Sequence, residues 1–188
     1  MDGPQIPTSV STDGRWLYYD NLVDGAPPDV WRLPLDGDGE PEAVVATPAR
    51  EGRGRISADG RYLAFNSAET GRMEVYVLDL ETGRRWNVSA SGGGSHAWSP
   101  VGNELMYLWS EGLWLVEFST EDGFEPDVAR LVRPHPAGRI ITDLTLSSDG
   151  ARELARFSRD LAAAQMTVHI DVVLNWFQEL NERAPRER

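Results

Sequence analysis

The chain has 188 residues, no cysteine and a formal charge of −12. That charge argues against nucleic acid, whose phosphates need clustered Lys and Arg, and against anionic membrane surfaces. The absent thiols exclude disulfides, thiolate catalysis and Cys-ligated metals, while 18 glycines and 12 prolines suit a turn-dense β architecture.

Met1 to Gln5 lacks the basic and apolar regions of a signal peptide. No apolar run reaches the roughly 18 residues of a spanning helix, so no membrane insertion by this chain is expected. From Val10 a pattern begins that occurs four times. It reads Val10-Ser11-Thr12-Asp13-Gly14-Arg15-Trp16-Leu17-Tyr18-Tyr19, then Ile56-Ser57-Ala58-Asp59-Gly60-Arg61-Tyr62-Leu63-Ala64-Phe65. The third copy runs from Trp98 to Tyr107, and the fourth and most degraded from Leu146 to Leu154. Gly14, Gly60, Gly102 and Gly150 give periods of 46, 42 and 48 residues, the length of a propeller blade.

Each period repeats one order of elements. Ser-x-Asp-Gly is a tight turn, because Asp accepts nearby backbone hydrogen bonds and Gly takes positive φ without a Cβ clash. It joins an incoming strand to an alternating outgoing one, such as Arg61 to Asn66. A third run follows, Asp29–Leu35, Glu74–Leu80 or Gly112–Phe118, rich in β-branched and aromatic residues. A polar hairpin then leads to a weaker fourth strand at Glu42–Ala46, Arg85–Ser89 or Ala129–Val132. Blades are therefore expected at about 5–48, 52–90, 94–133 and 139–174. The fourth blade shows strands near Glu153–Ser158 and Thr167–Leu174 and no outer strand. At the tail, Asn175 can cap a helix over about 175–183, with Gln178 as capping-box partner and Trp176, Phe177 and Leu180 on one face. The fold class is all-β, a partial or open β-propeller of about four four-stranded antiparallel blades with a short C-terminal helix.

These turns, the phrase Ser67 to Val77 and Trp98-Ser99-Pro100 resemble TolB-like, WD-type propeller repeats. Asp29 to Asp38 and Val172 to Leu180 are similar to the C-terminal propeller of certain bacterial serine/threonine protein kinases. The resemblance covers nearly the whole chain. It implies a sensing or binding module outside the cytoplasm that follows a kinase domain and a membrane span. The kinase's Gly-rich loop, His-Arg-Asp and Asp-Phe-Gly have no counterpart here, so no phosphotransfer role is carried over. The family also has more blades, and the Gly-His and Trp-Asp dipeptides of true WD repeats are absent in register.

No catalytic constellation emerges. Gly92-Gly93-Gly94-Ser95-His96 lacks the closing glycine of a nucleophile elbow and precedes a β segment, so it reads as a flexible connection between blades. His96, His135 and His169 lack metal-ligand spacing, and Asp36 to Glu40 lacks the ligand set of a calcium loop. No cofactor is expected. Trp16, Trp31, Trp86, Trp98, Trp109 and Trp114 read as packing residues at equivalent blade positions. The candidate ligand-binding residues are Arg53 and Arg55 on the innermost strand of blade two, His96 and Trp98 on that of blade three, and Asp143 on that of blade four. All five are expected to face a central channel.

The favoured function is a non-catalytic binding or sensing module for a protein or small ligand, within a larger bacterial signalling protein. The alternatives are the gating propeller of a serine peptidase whose hydrolase domain lies elsewhere, and a structural scaffold. Open blade faces also predict self-association.

Overall fold

The fold is described by a computed structural model over residues 3–37, 39–89, 91–137, 139–149, 152–159 and 169–174. The chain divides into two compact units, Met1–Gly94 and Ser95–Arg188, each holding two antiparallel sheets. In the first unit, β1 (Gln5–Val10), β2 (Trp16–Asn21), β3 (Asp29–Pro34) and β4 (Glu42–Val45) form the first sheet in sequence order. The second is β5 (Glu51–Ile56), β6 (Tyr62–Ser67), β7 (Glu74–Asp79) and β8 (Arg85–Asn87), again in order. In the second unit, β9 (His96–Trp98), β10 (Glu104–Trp109), β11 (Gly112–Ser119), β12 (Glu125–Pro126) and β13 (Arg130–Pro134) make the third sheet. The fourth is β14 (Arg139–Leu146), β15 (Arg152–Arg159) and β16 (His169–Leu174). These sheets fall on the four expected blades, and the described residues contain no helix. The expected C-terminal helix at 175–183 lies outside the described residues.

The repeated turn forms as its residues dictate. Ser11 Oγ donates to Asp13 Oδ1 at 2.5 Å, Arg15 N donates to the same oxygen at 3.0 Å, and Trp16 N donates to Ser11 Oγ at 2.9 Å. Ser57, Asp59, Arg61 and Tyr62 repeat this set. Gly14 and Gly60 stand at φ 70° and 75°, a region closed to most side chains. The third copy has Pro100-Val101 where Thr-Asp or Ala-Asp would stand, and its contact from Ser99 Oγ is the long one from Val101 N at 3.5 Å.

Packing follows the strand alternation. In the first unit Tyr18, Val30 and Val45 meet Ile56, Leu63, Phe65, Tyr76 and Leu78 of the neighbouring sheet. Each such side chain contributes about 1.5–3 kcal/mol on burial. In the second unit Met106, Leu108, Leu113 and Leu115 pack on Ile141, Leu144 and Ala155. A cross-strand aromatic pair recurs: Tyr19 opposite Trp31, Phe65 opposite Tyr76, and Tyr107 opposite Trp114. The second and third pairs stack at 5.7 and 6.2 Å between centroids.

Three local expectations need correction. The six tryptophans do not share one blade position. Trp31 and Trp114 are equivalent, but Trp16, Trp86, Trp98 and Trp109 begin or end four other strands or lie within them. Trp98, for example, packs edge-on against Phe118 and Phe124 of its own sheet. The glycine run is also not a loose connection. Gly92 N donates to Glu74 Oε2 at 2.7 Å, Gly93 N donates to the Met73 carbonyl at 2.9 Å, and Asn66 Nδ2 donates to the carbonyls of Gly93 and Gly94 at 3.1 Å each. A Cβ on Gly93 would lie 2.6 Å from Val75 Cγ2, so glycine here serves close approach. The outer edge of the third sheet is split between β12 and β13, which one run at Ala129–Val132 did not anticipate.

Candidate functional site

Pairing is irregular on the first strand of three sheets, and also between β3 and β4 and between β11 and β13. Bulges interrupt β1 between Pro7 and Ser9, β5 between Gly52 and Arg55, and β14 between Ile141 and Asp143. Bulges re-aim side chains and are enriched beside functional sites.

The β5 bulge is the most constrained. Arg53 stands at φ 58°, the one non-glycine with positive φ among the described residues, and its side chain is exposed. That conformation costs an L-residue about 1–2 kcal/mol. Two side chains of the first sheet hold it. Asp20 Oδ1 accepts from Arg53 N at 2.7 Å, and Ser9 Oγ donates to the Gly54 carbonyl at 3.0 Å while accepting from Ile56 N at 3.2 Å. Flanking glycines make room for this. A Cβ on Gly52 would meet Asp20 Oδ2 at 3.1 Å, and one on Gly54 would meet Val30 Cγ1 at 2.5 Å. Burial pushes the Asp20 carboxyl above the usual carboxylate range, against the amides of Arg53 and Gly54 and the guanidiniums of Arg53 and Arg50. Arg55, half-buried on the same strand as Arg53, stands opposite Ala64 of β6.

The other three candidates lie in the second unit. His96 is 1% exposed, so it does not offer its ring to a channel. It sits opposite Tyr107, which sits opposite Trp114, and opposed residues share a sheet face, so the imidazole belongs to that packed row. Trp98 is half-buried in its aromatic cluster. Asp143 Oδ1 accepts from Ser95 Oγ at 2.5 Å and from Leu144 N at 3.0 Å, with Arg156 Nη2 3.8 Å from the other oxygen. Asp143 thus has local structural work. Arg53 and Arg55 share one strand, and Asp143 meets Ser95, the neighbour of His96. Asp20, Ser9, Gly52 and Gly54 were missed by sequence reasoning. The usable signal was glycine alternating with arginine inside a strand, which marks a bulge or a close backbone approach.

A cleft of about 510 Å³ also opens within the first unit, lined by the turns at Ser11–Asp13 and Ala58–Arg61 together with Trp16, Tyr18 and Arg32. Its guanidiniums are already matched. Arg32 lies 4.1 Å over the Trp16 ring and bonds Glu42, and Arg61 bonds Asp79 at 2.9 Å and forms an ion pair with Glu81 at 3.4 Å without a hydrogen bond. Among the described residues no cluster of His, Asp and Glu could hold a metal, and no helix is long and apolar enough to cross a membrane.

Alternating antiparallel sheets of this order define a β-propeller module. The solved structures it resembles are TolB-like: TolB from Acinetobacter baumannii matches with a TM-score of 0.68 at 16% identity, over 92% of this chain and 44% of that one. Oligogalacturonate lyase from Vibrio parahaemolyticus gives 0.56 at 15% identity, over 87% and 51%. The S511A mutant of puromycin hydrolase, complexed with PGG, gives 0.57 at 16% identity, over 89% and 26%. The chain therefore spans about half or less of the length of these propeller proteins. No family model and no curated protein matches the sequence.

Proposed function

We propose that this chain is a non-catalytic propeller module that binds a protein or small ligand through the β5 bulge of its first unit. The observation that carries the reading is Arg53. Glycine would fit φ 58° at less cost, and glycine already stands on both sides. Backbone strain concentrates where a side chain is needed for contact. The likeness of Asp29 to Asp38 and Val172 to Leu180 to kinase-associated propellers favours a sensing role in a larger, membrane-anchored signalling protein, with this module outside the cytoplasm. The match to puromycin hydrolase favours a second reading, a propeller within a larger hydrolase. A Gly-x-Ser-x-Gly domain encoded in the same reading frame would select it.

The test compares partner capture by the wild-type chain and by Arg53→Gly in extracts of the cells that make it. The variant should fold and lose the partner. Equal capture by both would remove the site. Phosphotransfer or esterase turnover by the purified chain, lost on substituting one of its residues, would remove the non-catalytic reading.

A further inference from the structure

We propose that the chain assembles head to tail, the outward face of its first sheet receiving the outward face of the fourth sheet of a second copy. That surface is separate from the β5 bulge, and assembly through it does not depend on the binding role above. Within the repeat the same face occurs once covered and once open. Counted from the turn serines and along the strand registers, Val10, Leu17, Leu33 and Leu35 stand where Ile56, Leu63, Leu78 and Leu80 stand. In the second sheet that row packs against Tyr18 and Val30 of the first, and Ile56, Leu63 and Leu78 are buried. In the first sheet the row is open. Val10 and Leu35 are 53% and 48% exposed, and Leu17 and Leu33 are only half-buried. A sheet face meant for water turns polar at such positions. Four aliphatic side chains in the register of a packed interface mark a surface built to be covered.

The fourth sheet has the matching surface. Leu154 stands where Tyr18 stands, and it is 42% exposed where Tyr18 is 1% exposed. Ile170 pairs opposite Arg156 as Val30 pairs opposite Asp20, so an aliphatic residue again holds that register position. Tyr18 and Val30 are two of the side chains that fill the row where it is covered. Each copy thus has one surface of each kind. This selects a second copy as the occupant and makes the contact heterologous rather than two-fold.

The face is small. Three six-residue strands at about 3.3 Å per residue, with a fourth beside them at about 4.8 Å spacing, make it about 20 Å by 20 Å. That is the low end of specific interfaces, so a reversible contact with a dissociation constant of about 1–100 μM is expected. Two copies of net charge −12 repel each other, so added salt should tighten an apolar contact, whereas it would loosen one made by ion pairs.

The experiment is sedimentation velocity of the intact chain across that concentration range, at low and high salt. The wild type should pass from monomer to dimer and larger species, more so at high salt. Val10→Glu and Leu154→Glu alter exposed positions, and each should weaken association about tenfold or more. Mixed in equal amounts, the two variants should form a dimer that grows no further, because one keeps its fourth-sheet face and the other its first-sheet face. Circular dichroism checks that each variant is folded, and Val10→Gln and Leu154→Gln replace a glutamate that unfolds its sheet. A wild type that stays monomeric throughout, association loosened by salt, a Leu154 variant that assembles as the wild type does, or folded variants that form no dimer on mixing would each overturn the proposal.

Discussion

Replacing Gly54 with alanine tests the packing that positions the bulge. The new Cβ would lie 2.5 Å from Val30 Cγ1, against about 3.5–4.0 Å for an ordinary carbon contact. Val30 cannot swing clear. It is fully buried in the core between the first two sheets, and Leu63 Cδ1 sits 3.6 Å from the same point. Overpacking of this kind costs about 1–3 kcal/mol. Removing a glycine from a strand returns about 0.5–1 kcal/mol through the unfolded state. The expected net loss is about 1–2 kcal/mol, read as a lower urea midpoint at unchanged slope. Val30→Ala alone should cost about 2 kcal/mol from two lost methyl groups and a residual cavity. The double variant should be more stable than the sum of the two losses predicts by about 1 kcal/mol, because the smaller side chain vacates the space the new methyl needs. A Gly54→Ala protein as stable as wild type, or strict additivity in the cycle, would refute the claim that close approach at Gly54 sets this interface.

Other outcomes follow from the buried charges and the linkers. Burial alone would raise the Asp79 carboxyl, but the Arg61 guanidinium and the amides of Glu81 and Thr82 hold it at about 2, below its ordinary 3.8. Its stabilisation is therefore complete above pH 4 and lost as pH falls toward 2; Asp79→Asn should flatten that stretch of the acid-unfolding curve and cost about 1–2 kcal/mol at neutral pH. Glu74→Gln should weaken the hold on the glycine run and raise amide exchange at Gly92, whose N–H donates to the carboxylate at 2.7 Å, by about tenfold or more. His135 links strands of the second unit, its Nε2 3.1 Å from the Trp109 carbonyl and its Nδ1 accepting from Ile141 N at 3.2 Å. His135→Ala should cost about 1–2 kcal/mol and speed exchange at the Ile141 amide.

Architecture was legible because its signals are local and repeated. Ser57, Asp59 and Gly60 fold into a turn through bonds spanning five residues or fewer, so sequence alone sufficed to place β5 and β6 around them. The site was half legible. Arg53 and Arg55 could be placed on an innermost strand, but their clamp reaches from Ser9 and Asp20, more than 30 residues away, and no local pattern announces such a bond. His96 misled for a related reason. Its strand is only three residues long, too short for alternation to reveal which face it joins, and the partner that decides the matter is Tyr107 on the next strand. The glycine run misled because its partners, Asn66 and Glu74, come from two preceding strands.

The repeat supplies a test of whether Arg53 is kept for contact or for stability. Counting back four residues from the serine of each turn reaches Pro7, Arg53, Ser95 and Asp143. This position changes chemistry in every copy while the turn beside it is largely preserved. In the second unit its occupants hold one another: Ser95 Oγ bonds Asp143, which also accepts from the amide of the buried Leu144. Asp143→Ala should therefore cost about 1–2 kcal/mol, because that amide loses its acceptor. Ser95→Ala should cost only about 0.5–1 kcal/mol, since the Asp143 side chain is 41% exposed and water can replace the hydroxyl. Arg53→Gly should go the other way. Relief of φ 58° returns about 1–2 kcal/mol, and the added freedom of the unfolded chain takes back about 0.5–1. The variant should be as stable as wild type or more stable by up to about 1 kcal/mol. Equilibrium unfolding of the three variants measures all these signs. If Arg53→Gly destabilises the chain as much as Asp143→Ala does, the arginine is structural, and the reason for assigning it a ligand disappears.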